Sequence, residues 1–291
     1  MPLRSAFLLL VLAITLQPAS AQVLPINRKQ PCTMIAAVPY TITAPGSYCL
    51  NSNHTTAYSY GIQIQASDVR LDCKGHAINR SVRDGGSDGI TATSDLQNVT
   101  IQSCRIDNFD RGVNVGYRGR NFQLLNNHVD NALSIGISVW GHGARVVGNR
   151  VTNTHNIPGQ YSTGIHMLPF EPSVSATSQV VMNNVIAGSS GDAQVVGLHV
   201  SGSASPQVTG NQILDLQVAD GGYGMSLWLS DWAQGAHTTG VKFINNTLMS
   251  RNPDVLGVVG QPELCVNNIA IGLDNAGLSS CLAGQGNTLI P

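Results

Sequence analysis

Two histidines occupy the same place in neighbouring copies of one short pattern. His166 follows Gly164 by two residues in Gly164-Ile165-His166-Met167, and His199 follows Gly197 by two in Gly197-Leu198-His199-Val200. In an extended strand, a residue flanked by inward apolar neighbours points outward, so both imidazoles are expected on one face. An imidazole of ordinary pKa is a base near neutrality, and a tyrosine such as Tyr161 or Tyr223 can act as the matching acid. Arg118, with its planar fork, is suited to clamping a carboxylate. Together these residues describe proton abstraction next to a carboxylate, with His166 or His199 as base. Two carboxylates, Glu171 and Asp231, offer the different chemistry of glycosidic hydrolysis. Trp140, Trp228 and Trp232 are all the tryptophans of the chain. Each follows a glycine pattern, as does His142, and exposed indole is a surface on which sugar rings stack.

The elements that must carry these side chains repeat. Gly61-Ile62-Gln63-Ile64, Gly89-Ile90-Thr91-Ala92, Gly112-Val113-Asn114-Val115, Gly136-Ile137-Ser138-Val139 and Gly224-Met225-Ser226-Leu227 complete a set of seven, with Gly257-Val258-Val259 as a weaker eighth. The glycines stand 28, 23, 24, 28, 33 and 27 residues apart. A unit of that size cannot bury its own apolar face and must stack on its neighbours. A second apolar strand follows each copy and ends at or beside Asn, as in Leu124-Leu125-Asn126-Asn127, Val181-Met182-Asn183-Asn184 and Phe243-Ile244-Asn245-Asn246. Asn and Gly tolerate the left-handed conformation of a sharp corner, and stacked Asn side chains can form a hydrogen-bonded ladder. Period-two alternation without sustained helical periodicity predicts two strands and two corners per turn, a parallel β-helix.

Stacking places Gln63, Thr91, Asn114, Ser138, His166, His199 and Ser226 in one outward column, with neighbours about 4.8 Å apart. Gly116, Trp140, Leu168, Ser201 and Trp228, four residues after each glycine, form a second. The path from glycine to Asn corner lengthens to 20 residues after Gly164 and 22 after Gly224, through insertions near 168–178 and 228–240. Insertions in solenoids cluster at the binding face, so these are expected to wall a groove around His166 and His199. A surface histidine ladder and solvated corner arginines (Arg111, Arg118, Arg120) are the plainer alternatives.

Leu71-Asp72-Cys73-Lys74-Gly75-His76-Ala77-Ile78, Asn98-Val99-Thr100-Ile101-Gln102-Ser103-Cys104 and Gly112-Val113 resemble the right-handed parallel β-helix proteins of the pectate-lyase-like superfamily, over roughly residues 55 to 275. The resemblance implies an all-β, single-domain solenoid of about eight to nine coils with disulfide-tied caps at both ends. Members of that superfamily include polysaccharide lyases, glycoside hydrolases, uronate epimerases, adhesins and phage tail proteins. Within that range the His, Tyr and Arg side chains above favour action on an acidic polysaccharide by β-elimination or C5 epimerisation, which share removal of the C5 proton. Fold alone does not settle activity. Gly141-His142-Gly143 is similar to a tripeptide of polygalacturonases whose paired-aspartate motif is absent here. The acidic calcium cluster of pectate lyases and the Asp-Pro-His motif of alginate epimerases are absent too. A non-catalytic glycan-binding or envelope protein therefore remains the alternative, and a glycoside hydrolase a further one. No cofactor or metal site is expected, and a calcium requirement is left open.

Residues 1–21 read as a signal peptide: Arg4, an apolar run from Ala6 to Leu16, and Ala19-Ser20-Ala21 before Gln22. The run is too short to span a bilayer, so a secreted or periplasmic protein without a membrane span is expected. Residues 22–54 are assigned to an N-terminal cap, 55–275 to the helix and 276–291 to a C-terminal cap. Six cysteines in an exported chain suggest disulfides. Spacing suggests Cys32 with Cys49 across a hairpin, Cys73 with Cys104 across adjacent coils, and Cys265 with Cys281 at the far end. A net charge of −1 with 11% charged residues argues against nucleic acid as partner and leaves polysaccharide. Oligomeric state is open.

Overall fold

The computed structural model of the chain describes residues 31–273, 278 and 284–290. Among these, every regular element is a strand, and the strands form three long parallel sheets of eleven, ten and nine members. Each complete coil contributes one strand to each sheet. The coil therefore has three strands, not the two expected. The third sheet is built of short segments such as Arg105–Asp107, His128–Asp130 and Arg150–Thr152. A three-residue strand turns only one side chain inward, so it leaves no alternation for sequence to show.

The apolar residue after each glycine, with Leu227 taking that place in the coil of Gly224, forms the inner wall of the nine-stranded sheet. Ile62, Ile90, Val113, Ile137, Ile165, Leu198, Leu227 and Val258 lie in continuous register and are buried. Burying each aliphatic side chain contributes about 1.5–3 kcal/mol, which offsets the ordering entropy of only one or two residues, so each coil depends on all of its inward side chains. The glycines mark a close approach between coils. A Cβ on Gly136 would lie 2.6 Å from the Gly164 carbonyl oxygen and run into the Val151 side chain.

The expected Asn ladder is present and buried. Asn127, Asn149, Asn184, Asn211, Asn246 and Asn268 each pass an amide Nδ2–H to the Oδ1 of the next, ending at Asn287, at 2.9–3.1 Å. Most of the preceding residues take the left-handed corner: Asn126, Asn183, Asn245 and Asn267 at φ 53–56°, and Gly148 and Gly210 at 68° and 66°.

Cys32–Cys49 and Cys73–Cys104 are disulfides, with Cα–Cα distances of 5.8 and 4.7 Å. The first does not close a hairpin. Thr33–Ile35 pairs parallel with Gly46–Leu50, and Tyr40–Ile42 between them joins another sheet, so the segment is already a coil. Cys281 and the segment 1–21 lie outside the described residues.

Candidate functional site

The outer face of the nine-stranded sheet carries the site. Its column runs Thr41, Gln63, Thr91, Asn114, Ser138, His166, His199, Trp228, Val259. His166 and His199 are neighbours as expected. Ser226 is not in the column, because the strand Tyr223–Ser230 sits two residues along from its copy of the pattern. Gly224 faces Val195, and Trp228 takes the place beside His199. The second column is corrected likewise: Ser201 faces Ser230. Leu168 and Ser201, expected outward there, are buried.

The substitution of Trp228 for Ser226 builds a stack of planar rings. His166 and His199 lie with centroids 4.1 Å apart and planes 13° from parallel, and His199 and Trp228 with centroids 4.0 Å apart at 11°. One face of Trp228 is thus covered by an imidazole, and the column presents ring edges outward. Trp232 lies 6.4 Å from His166 at 41° and meets Trp140 at 5.3 Å, which in turn meets Tyr117 at 5.2 Å.

Trp232 is held there by the two insertions, which dock on each other. Ala236 N–H donates to the Pro172 carbonyl at 3.2 Å, and Ser175 Oγ to the His237 carbonyl at 2.8 Å. Within the later insertion the Trp232 N–H donates to the Ala236 carbonyl at 2.7 Å, while Asp231 takes the Thr238 N–H at 2.7 Å and pairs with His237 at 3.0 Å. Asp231 is held below the usual carboxylate range by these hydrogen bonds.

Ring edges and insertions enclose a cavity of about 250 Å³, lined by Tyr161, Thr163, His166, Gln194, Val196, His199, Trp228 and Trp232. Here the strands are longest. Tyr161–Met167, Gln194–Ser201 and Tyr223–Ser230 run seven, eight and eight residues, against five in the preceding coils. The added residues bring Tyr161, Thr163 and Gln194 into the lining. Thr163, Gln194 and Val196 were not singled out in the sequence, since they precede the glycine pattern. For Thr163 the signal is the long stretch between Asn149 and Gly164, whereas Gln194 and Val196, between Asn184 and Gly197, have no such signal.

Both imidazoles are 7% exposed, not solvated. Burial pushes His166 down to about 3, and burial together with neighbouring His166 holds His199 well below its ordinary value. His166 Nε2 bonds Ser201 Oγ at 3.2 Å and His199 Nε2 bonds Ser230 Oγ at 2.8 Å. The premise of an imidazole at ordinary pKa is thereby corrected. Both rings are neutral, weak bases.

Other expected site residues stand elsewhere. Arg118 pairs with Asp95 at 3.2 Å and Glu171 at 3.7 Å, so neither Arg118 nor Glu171 lines the cavity. His142 stacks on Phe170 at 4.2 Å and bonds Thr177, with its pKa lowered by burial and by Arg120. Asp231 lines a neighbouring cleft of about 450 Å³ with Thr238, Gln261 and Glu263. Trp140 borders the cavity only through Trp232. Tyr223 is exposed, opposite Gln194 in register. Among the described residues, no group of three or more His, Cys, Asp or Glu side chains converges as metal ligands.

A family model described as a right handed beta helix region matches residues 42–169. No curated protein sequence matches the chain. Among solved structures, it is similar to the catalytic domain of a GH87 alpha-1,3-glucanase in complex with nigerose, at 12% identity and a TM-score of 0.39, over 89% of this chain. It spans 63% of the length of that domain. The Dettilon tailspike protein is similar at 12% identity and a TM-score of 0.33, over 88% of this chain and 60% of that one. The A-module of the mannuronan C-5 epimerase AlgE6 of Azotobacter vinelandii is similar at 14% identity and a TM-score of 0.30, over 85% of this chain and 91% of that one.

Proposed function

We propose that this right-handed parallel β-helix protein is an exported carbohydrate-binding protein that takes an uncharged sugar unit in the cavity beneath Trp232. The observation that carries the reading is the lining: four aromatic or imidazole edges, a tyrosine, and the polar groups of Thr163 and Gln194, with no charged side chain. Small-ligand sites combine apolar walls with a few placed polar groups in this way. The indole of Trp232 and the ring of Tyr161 meet the C–H surface of a sugar, while the neutral imidazoles and Gln194 meet its hydroxyls. Two disulfides fit an oxidising compartment, reached through the segment 1–21.

β-Elimination or C5 epimerisation of an acidic polysaccharide is the second reading, and the presence of Tyr161 in the same cavity lining as both imidazoles favours it. It needs a base and a cation. The imidazoles resist protonation, and Arg118 is occupied by two carboxylates. Binding without turnover is therefore the better fit.

The test titrates neutral and uronate oligosaccharides against tryptophan fluorescence, and in parallel follows the ultraviolet absorbance of unsaturated uronate products with and without calcium. Quenching by a neutral oligosaccharide that is lost in Trp232→Ala, with flat absorbance, is expected. An absorbance rise abolished by His199→Ala would replace the binding reading with elimination. Absence of quenching together with flat absorbance across the panel would remove both.

A further inference from the structure

Each imidazole of the column uses one ring nitrogen inside the protein. The partners, Ser201 for His166 and Ser230 for His199, are themselves in register on adjacent coils, so the same contact repeats one coil further on. Both serines lie toward the C-terminal ends of the strands. Nδ1 stands on the opposite edge of the ring from Nε2, so it faces the N-terminal side, where Tyr161, Thr163 and Gln194 line the cavity. Neither Nδ1 has a hydrogen-bond partner among the described residues.

The position of the ring proton follows from the serine. Ser201 is fully buried, and its Oγ donates to the Met167 carbonyl at 3.4 Å. A hydroxyl has one proton. With that proton on Met167, Oγ accepts from the imidazole, Nε2 carries the ring hydrogen and Nδ1 is a bare acceptor. The reverse assignment would leave the serine without its second partner. Ser230 stands in register with Ser201 and meets His199 Nε2 in the same way, so by that repeat His199 is assigned the same tautomer. Near-parallel stacking at 4.1 Å sets the two Nδ1 atoms about as far apart as the ring centroids.

Resting on the carbohydrate reading above, we infer that Ser201 and Ser230 are positioning residues that hold both imidazoles in the Nε2–H tautomer, so that the cavity selects a sugar unit presenting two neighbouring hydroxyl donors. Two hydroxyls on adjacent ring carbons satisfy both acceptors at once. A unit carrying a carboxylate or an ether there would set acceptor against acceptor and leave buried lone pairs unmet.

Long-range proton–nitrogen NMR on histidine-labelled protein reads the tautomers without any ligand. The expected result is Nε2–H at both His166 and His199, with a tautomer mixture at His166 in Ser201→Ala. Half-buried Ser230 supplies Ser230→Ala, read at His199, as a second variant should the first not fold. Nδ1–H at either ring of the wild type overturns the inference. The second arm adds myo-inositol or cyclohexanol and follows the Nδ1 resonances. A response to inositol at roughly tenfold lower concentration is expected, the worth of about one added hydrogen bond. Equal responses, or none to inositol, overturn the hydroxyl-pair selectivity. The two readings fail separately. A glycan that binds a protein with Nδ1–H rings removes only this inference, whereas Nε2–H rings with no glycan bound remove the carbohydrate reading.

Discussion

His166 and His199 hold their places by shape rather than charge, and acid should therefore weaken the fold. In the unfolded chain each imidazole takes up a proton near its ordinary value of 6.5, whereas folded His166 resists protonation down to about 3. Below pH 6.5 the unfolded state thus binds more protons, and stability falls as pH drops through that window. The ceiling is about 1.4 kcal/mol per pH unit per histidine. His166→Phe keeps a planar ring in the stack and removes the titration. Melting temperatures measured from neutrality into this acid window should fall less steeply for the variant. Parallel curves would show that His166 does not titrate as its burial implies. The sequence placed these imidazoles in one column correctly but could not show that the insertions bury them. It also left Arg118 free to act as a clamp. A corner arginine finds its partners from two other coils, Asp95 and Glu171, and no spacing rule links those positions.

At the scale of the element, the Asn ladder and the glycine row fix how one coil meets the next. Asn184 accepts from the backbone N–H and Nδ2–H of Asn149, and donates to the Val146 carbonyl and to Asn211. Asn184→Ala leaves several buried groups unpaired and should cost about 2–4 kcal/mol in urea unfolding, at 1–3 kcal/mol for each group left unsatisfied after partial relaxation. A loss well under 1 kcal/mol would mean that water replaces the amide. Gly136→Ala forces a methyl toward the Gly164 carbonyl and should cost about 1–3 kcal/mol by overpacking, read in the same titration. Both rows were legible because glycine and asparagine recur at fixed offsets. The slip at Trp228 was not. A shift of two residues returns every side chain to the same face, and Met225, Leu227 and Leu229 preserve the apolar pattern in either register. Only the pairing with the neighbouring coil selects Trp228 over Ser226 as the partner of His199.

The whole molecule is a stack in which each coil is stabilised by the next, so its ends and its interior answer differently to the loss of a crosslink. Cys73–Cys104 joins interior coils across 31 residues, and Cys32–Cys49 closes 17 residues at the first strand. Each should contribute about 2–4 kcal/mol, the longer loop slightly more. The consequences then diverge. Cys32 precedes Thr33–Ile35, a three-residue strand that covers the backbone groups of Gly46–Leu50 at the end of the eleven-stranded sheet. Without its bridge so short a strand frays, and an uncovered parallel edge is a template for pairing with another chain. Replacing Cys32 and Cys49 by serine should therefore lower the urea midpoint and also produce association with rising concentration, seen by light scattering on a sizing column. Replacing Cys73 and Cys104 by serine should lower the midpoint and leave the protein's size unchanged, because the strands around that bridge remain paired on both sides. Equal association in the two variants would mean that loss of stability, rather than an opened edge, drives the chains together.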